Sequence, residues 1–214
     1  MAAGRQRPVT IVDGEADTAQ VADFERDRRA LLRRGIAAGG AVVAASSVPL
    51  LLSVRNAFAK QEGDLGILEN AITLERVSVL AYETLIGGGL LSPRVERIAK
   101  LFAGQEQEHA DSLVAAMTGL RGTVPAKPAG VGAIDDVAKG IGDLKSEADA
   151  LAFAIELETA AVAAYYDAHR KLADGKLLQT GASIMANEGQ HLVVLRQAAG
   201  KPRVPNALET GDKG

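Results

Sequence analysis

Four glutamates and two histidines stand where helical spacing turns them inward together. Glu75 and Glu158 each interrupt an otherwise apolar stripe, and Glu106-x-x-His109 recurs as Glu188-x-x-His191. Residues three apart are neighbours on one helical face, so the Glu and His of each motif can reach one metal ion at a bundle axis. A carboxylate turned into an apolar core loses several kcal/mol of hydration unless something replaces it. Four ionised Glu beside two neutral His carry a charge of about −4, which two divalent cations would cancel. Any one of these residues alone has a plainer explanation, such as a helix-end Glu or a core His with its hydrogen bonds met. Matched positions argue for metal, since two of the chain's 3 His fall in the motif. Oxygen and imidazole donors without thiolate suit iron or manganese, and zinc is compatible with them.

The elements that position these groups come in two similar halves. Leu74-Glu75-x-x-x-Val79-x-Ala81-Tyr82 recurs as Leu157-Glu158-x-x-x-Val162-x-Ala164-Tyr165, 83 positions on, and the Glu-x-x-His motif recurs 82 positions on. The same signals in the same order describe a duplicated helical hairpin. Gly87-Gly88-Gly89 stops a first helix, and Ser92-Pro93 begins a second with a capping residue and proline at its first position. Gly119 and Gly122 end the second helix, Ser146 caps a third, Asp174-Gly175 turns into a fourth, and Gly200-Lys201-Pro202 stops it. Helices are expected over 64–86, 92–118, 146–173 and 176–199. Two short turns and one long connection, 120–145, predict an all-α four-helix bundle with a single crossover between helices 2 and 3.

On the helix faces, Glu75 shares a stripe with Leu68, Ile72, Val79, Tyr82 and Ile86, and Glu158 with Leu151, Ile155, Val162 and Tyr165. Glu106 and His109 join Phe102, Ala103, Leu113 and Met117. Glu188 and His191 join Ile184, Met185 and Leu195. Glu156, Glu108, Glu69 and Glu83 fall off these stripes or lack counterparts. His169 shares Glu158's face but lies ~16 Å along the axis at about 1.5 Å rise per residue, which makes it a helix-end or surface residue. Tyr82 and Tyr165 are read first as core residues with a hydrogen-bonded hydroxyl, and a supporting or redox role is the lesser option.

Composition narrows the function classes. The 214 residues are 47% hydrophobic, 24% charged and 3% aromatic, which suits one domain of closely packed helices plus tails. Absence of Cys removes disulfides, zinc held by cysteines, iron–sulfur clusters and thiol nucleophiles. A formal net charge of -3 gives no basic footprint for nucleic acid.

Residues 1–59 read as an address. Arg28-Arg29 and Arg33 precede an uncharged run from Ile36 to Val54, closed by Leu50-Leu51-Leu52 and followed by Ala57-Phe58-Ala59, a small-x-small cleavage pattern. The adjacent arginines resemble a twin-arginine (Tat) export signal, with cleavage after Ala59. An uncleaved membrane anchor is the runner-up, since the run approaches the ~20 residues that span a bilayer; Pro49 and the many Gly and Ala weaken it. Export would lead to the periplasm, the cell envelope or the medium. The expected organisation is a tail and signal over 1–59, a bundle over 60–201 and a C-terminal tail over 202–214.

The ordered set of six residues, with the long crossover, resembles the ferritin-like superfamily over roughly residues 64–200, nearest to its exported bacterial members. The resemblance implies Glu75 and Glu158 as lone carboxylates, with Glu106, His109, Glu188 and His191 as paired ligands of two divalent ions, iron ahead of manganese. It implies bridging by the Glu of each motif and terminal ligation by the His. A di-metal oxidoreductase acting on Fe(II), oxygen or peroxide follows, of ferroxidase, peroxidase or catalase type. Without Cys a rubredoxin-type iron centre is missing, and without an obvious fifth helix a storage cage is the weaker reading. Alternatives are a non-catalytic exported helical binding or stress-associated module, and iron storage; a homo-oligomer remains open.

Overall fold

The structure of the chain is a computed structural model in which residues 11–12, 15–16, 63–133 and 140–211 are described. The expected signal and its cleavage point at Ala59 lie outside the described residues. Two compact units divide the chain, Met1–Ala44 and Ala45–Gly214. In the first, Ile11–Val12 (β1) pairs antiparallel with Glu15–Ala16 (β2), Ile11 opposite Ala16 and Val12 opposite Glu15.

The second unit holds the four helices found among the described residues: α1 Asp64–Gly87, α2 Pro93–Gly119, α3 Glu147–His169 and α4 Gly175–Ala198. The starts of α2, α3 and α4 follow from capping chemistry. Ser92 Oγ accepts from Val95 N–H at 3.4 Å, Ser146 Oγ from Asp149 N–H at 3.2 Å, and Asp174 Oδ1 from Lys176 and Leu177 N–H at 2.8 and 3.0 Å. α3 ends at His169, before the expected 173, because the chain tightens there: Arg170 and Lys171 N–H bond carbonyls three residues back, on Asp167 and Ala168. Among its described residues, the crossover between α2 and α3 contains two single 3₁₀ turns, Val131–Ala133 and Ile141–Asp143. No described helix is long and apolar enough to cross a membrane.

α1 packs along α2 and α3 along α4, and the two hairpins join through α1–α3 and α2–α4. Each hairpin also ties down the other's turn. Asp64, at the start of α1, accepts from Ala173 and Asp174 N–H at 2.9 Å each, and Glu147, at the start of α3, accepts from Ser92 N–H. Asp64 and Glu147 are 83 residues apart, the interval that separates Glu75 from Glu158. The duplication therefore extends to the bonds that fix the hairpins against each other.

The core is split in two. One apolar cluster includes Ile67, Ile72, Leu113, Met117, Ala164 and Ile184; the other includes Val77, Leu85, Phe102, Leu151, Leu157 and Leu195. On every helix the candidate site residues fall between members of the two clusters, so a polar layer is held between apolar ends. Alanines fill much of the buried surface of α3, at 160, 161, 163, 164 and 168. Side chains this small let helices approach closely. The segment after α4 returns to α3: Arg196 pairs with Glu209 at 2.8 Å, and Gly211 is buried against Thr159 and Ala163. A Cβ on Gly211 would lie 2.4 Å from the Ala163 nitrogen, and its φ of +68 is one that side chains rarely adopt.

Candidate metal centre

α1 supplies Glu75, α2 Glu106 and His109, α3 Glu158, and α4 Glu188 and His191, and the bundle brings all six together. The four carboxylates and His191 are fully buried, while the His109 side chain keeps 12% of its surface exposed. His109 Nδ1 lies 3.1 Å from Glu188 Oε1, 3.4 Å from Glu75 Oε2 and 3.6 Å from Glu106 Oε2. His191 Nδ1 lies 3.1 Å from Glu106 Oε1, 3.2 Å from Glu188 Oε2 and 3.3 Å from Glu158 Oε1. Glu106 and Glu188 thus turn one oxygen toward each histidine.

These atoms form two groups that can each hold a metal ion: Glu75, Glu106, His109 and Glu188, and Glu106, Glu158, Glu188 and His191. Donor atoms within each group lie within 4.8 Å of one another. Glu106 and Glu188 belong to both.

Close approach has not become hydrogen bonding. Glu75 Oε2, both oxygens of Glu106 and of Glu188, and Nδ1 of His109 and of His191 are buried without a hydrogen-bond partner. Buried polar atoms without hydrogen bonds are costly, and seven of them gathered in one layer fit a cation. Each of the two donor groups could hold a metal ion, and in both it is the histidine Nδ1 that faces the carboxylates.

Electrostatics point the same way. Burial pushes the Glu75 carboxyl well above the usual carboxylate range and the Glu158 carboxyl up to about 8, with neighbouring carboxylates adding to both. Burial alone would lower the histidines, but the facing carboxylates outweigh it and raise His109 to about 12 and His191 to about 11. Glu188 is lowered despite burial and the charge of Glu106, because His109 and His191 face it. The raised histidines and the raised Glu75 and Glu158 carboxyls both reduce the negative charge of the layer.

Around the six lies a supporting set, in which the two tyrosines take the supporting role that the sequence offered as the lesser option. Tyr82 Oη donates to Glu158 Oε1, and Tyr165 Oη donates to Glu75 Oε1. Each tyrosine sits seven residues beyond one lone glutamate yet bonds the other, reaching across from α1 to α3 or back. The hydroxyls are hydrogen-bonded, as a core reading requires, and their partners are the site carboxylates themselves. Burial raises both phenols well above their ordinary value, and the facing carboxylates add to it, so they stay protonated donors. Gln105 Oε1 lies 2.8 Å from His191 Nε2, leaving Nδ1 toward the carboxylates, and the Phe102 ring stacks on His191 at a centroid distance of 3.9 Å.

Residues set aside from the sequence stay outside the centre. Glu69, Glu83 and Glu108 are exposed, and Glu156 is half-buried. His169, half-buried, ends α3 with Nδ1 at 2.6 Å from Tyr165 O. Gln105 carries no sequence signal of its own, since it is one residue from Glu106 and acts on the opposite hairpin.

A family model described as a ferritin-like domain matches residues 63–201. Among solved structures, a hypothetical protein from Methanococcus jannaschii DSM 2661 matches with a TM-score of 0.58 and 20% identity, over 71% of this chain and 91% of that one. Likeness at that identity bears on the fold alone. A comparison with curated proteins finds no match.

Proposed function

The chain belongs to the ferritin-like domain family, and on that premise we propose that it binds two divalent ions, iron or manganese, in a carboxylate-bridged centre for redox chemistry with Fe(II), oxygen or peroxide. The observation that carries this reading is the sharing of Glu106 and Glu188 between two metal-competent groups. Oxygen and imidazole donors without thiolate suit these metals. Two such ions close together would supply electrons to, or take them from, a bound oxygen species.

The chain's own residues hold, neutralise and enclose. Glu106 and Glu188 present one oxygen to each side, Glu75 and Glu158 close the two ends, and Nδ1 of His109 and of His191 completes each set. Tyr82 and Tyr165 orient the end carboxylates by donating to one oxygen of each, which in Glu75 leaves Oε2 directed at the centre. Apolar clusters at both ends of the layer keep water out along the bundle axis and so strengthen the charge interactions of its buried members.

Binding should displace protons, because the facing carboxylates raise His109 and His191 and burial raises Glu75 and Glu158, and all four are ligands of the proposed ions. At pH 7 an indicator dye should report about two protons or more released per chain on saturation with Mn(II), and affinity should fall as pH is lowered. Saturation with no proton release would contradict this assignment of Nδ1.

Gln105 supports His191 alone. Gln105→Ala should weaken the ion on the His191 side by roughly 10- to 100-fold and leave the other near its original affinity, as removal of an outer partner does. Gln105→Glu, which can still accept from Nε2–H, should restore most of the loss. Equal weakening of both ions in a titration would count against that role.

The activity test is anaerobic loading with Fe(II) followed by oxygen or peroxide. Two irons per chain that oxidise on mixing, with consumption of the oxidant, support the reading. Ions that bind without turnover would indicate a non-catalytic module, and many more than two irons per chain in a large assembly would indicate storage. For the arginine-led N-terminal segment, export by a Tat-like route is the accompanying proposal. N-terminal mass spectrometry of protein from its native compartment tests cleavage after Ala59.

A further inference from the structure

The two sides of the centre are not equally closed, and the difference is written into the repeat. A shift of 82 positions sets Ile184 against Phe102 and Asn187 against Gln105. On the His191 side the Phe102 ring stacks on the imidazole and Gln105 holds its Nε2. On the His109 side an aliphatic chain replaces the ring, Asn187 is one methylene shorter, and no bond from it to His109 forms. The His109 side chain retains 12% exposure, against 1% for His191.

His109 also lines an open groove of about 400 Å³ between α2 and α4, together with Glu108, Ser112, Gln179, Thr180, Ser183 and Ile184. The same shift of 82 pairs the groove's three hydroxyl residues, Ser112, Thr180 and Ser183, with Val194, Ile98 and Leu101. One face of the centre is thus hydroxyl-lined where the other carries aliphatic side chains. Ser112 Oγ donates to Glu108 O at 2.8 Å and Ser183 Oγ to Gln179 O at 3.0 Å. A hydroxyl whose proton is committed to its own helix presents lone pairs outward, so these act as acceptors. With the Glu108 carboxylate beside them, the lining is complementary to a hydrated divalent cation.

We propose that this groove is the entry site through which hydrated divalent cations reach the centre. It makes the ion held by Glu75 and His109 the exchangeable one, and the ion held by Glu158 and His191 the enclosed one. The inference rests on the two-metal reading above and adds direction to it.

The test is stopped-flow uptake of Co(II) by the metal-free full-length chain, with final loading from metal analysis. The variant S112V/T180I/S183L gives the groove the residues that the other side carries. It should still reach two ions per chain, but with uptake slowed about tenfold or more, since the hydrophilic route is closed while the ligands are untouched. Glu108→Gln should slow uptake a few-fold and weaken its dependence on salt. In a chelator chase of Mn(II)-loaded wild-type protein, one ion per chain should leave in a fast phase that Glu75→Ala abolishes. Uptake at the wild-type rate in the filled-groove variant would overturn the proposal, as would loss of both ions in a single phase. Should the triple variant not load fully, Ser183→Leu alone, at an exposed position, decides by the same rate. A wild-type chain that binds no Co(II) would instead remove the two-metal reading itself.

Discussion

Glu106→Ala is expected to empty both halves of the centre, whereas Glu75→Ala should empty only one. Glu106 sends Oε2 toward His109 and Oε1 toward His191, so its loss takes a donor from each group at once. Glu75 belongs only to the group that contains His109. Removing a mere outer partner of a ligand costs 10- to 100-fold in affinity, so losing a shared carboxylate should cost each ion more than ~100-fold. At micromolar protein that means close to no ion per chain for Glu106→Ala and close to one for Glu75→Ala, read by elemental analysis after gel filtration. Glu188→Ala should match the first and Glu158→Ala the second. Equal losses from all four would show that the carboxylates are not divided into bridging and terminal roles.

The second large effect is on stability. The metal-free centre packs four Glu into an apolar core, compensated by the facing histidines and by the protons that burial favours on Glu75 and Glu158, whereas bound metal would satisfy the oxygens that lack hydrogen bonds directly. A ligand at a thousand times its Kd stabilises the folded state by roughly 4 kcal/mol per site, so two ions should raise Tm by on the order of 15 to 30 °C in a protein of this size. Excess chelator should reverse the shift.

The shift should also grow from pH 5 to pH 8. Glu158 is raised to about 8, so its contribution to the metal-free fold is present below 4.5 and is lost as pH rises through 8. His109 and His191, raised to about 12 and about 11, contribute below 6.5 and lose that contribution over a range extending to those values. The lowered Glu188 acts in the opposite sense only below 4.5. Metal-free protein should therefore weaken as pH rises over this interval, while the metal-bound form gains as protons cease to compete. Calorimetric scans with and without Mn(II) would check both trends, and a shift that shrinks toward pH 8 would contradict them.

The bundle was legible because its signals are local and repeated. Caps at Ser92 and Ser146 and the Asp174-Gly175 turn obey local chemistry, and the inward carboxylates repeat at fixed intervals, so helix count, order and crossover could be read from spacing. The same spacing brought all six candidate residues to one layer. What it could not give depends on how helices from different halves are rotated against each other. Tyr82 bonding Glu158 rather than Glu75, and Gln105 holding His191 rather than His109, are cross-bundle pairings that no periodicity within one helix encodes. Asp64 and Glu147 obey the repeat interval and could have been paired by it, but their role as acceptors for the opposite turns emerges only in three dimensions. The return of Gly211 onto α3 is equally hidden, because the close approach that demands glycine comes from a helix some fifty residues earlier.

Anomalous scattering from crystals of the Mn(II)-loaded protein locates the ions without reference to activity. Two peaks are expected inside the bundle, one bounded by Glu75 and His109 and the other by Glu158 and His191, with Glu106 and Glu188 between them. A crystal with no peak in this layer, or with manganese only at exposed acidic residues, would contradict the central claim.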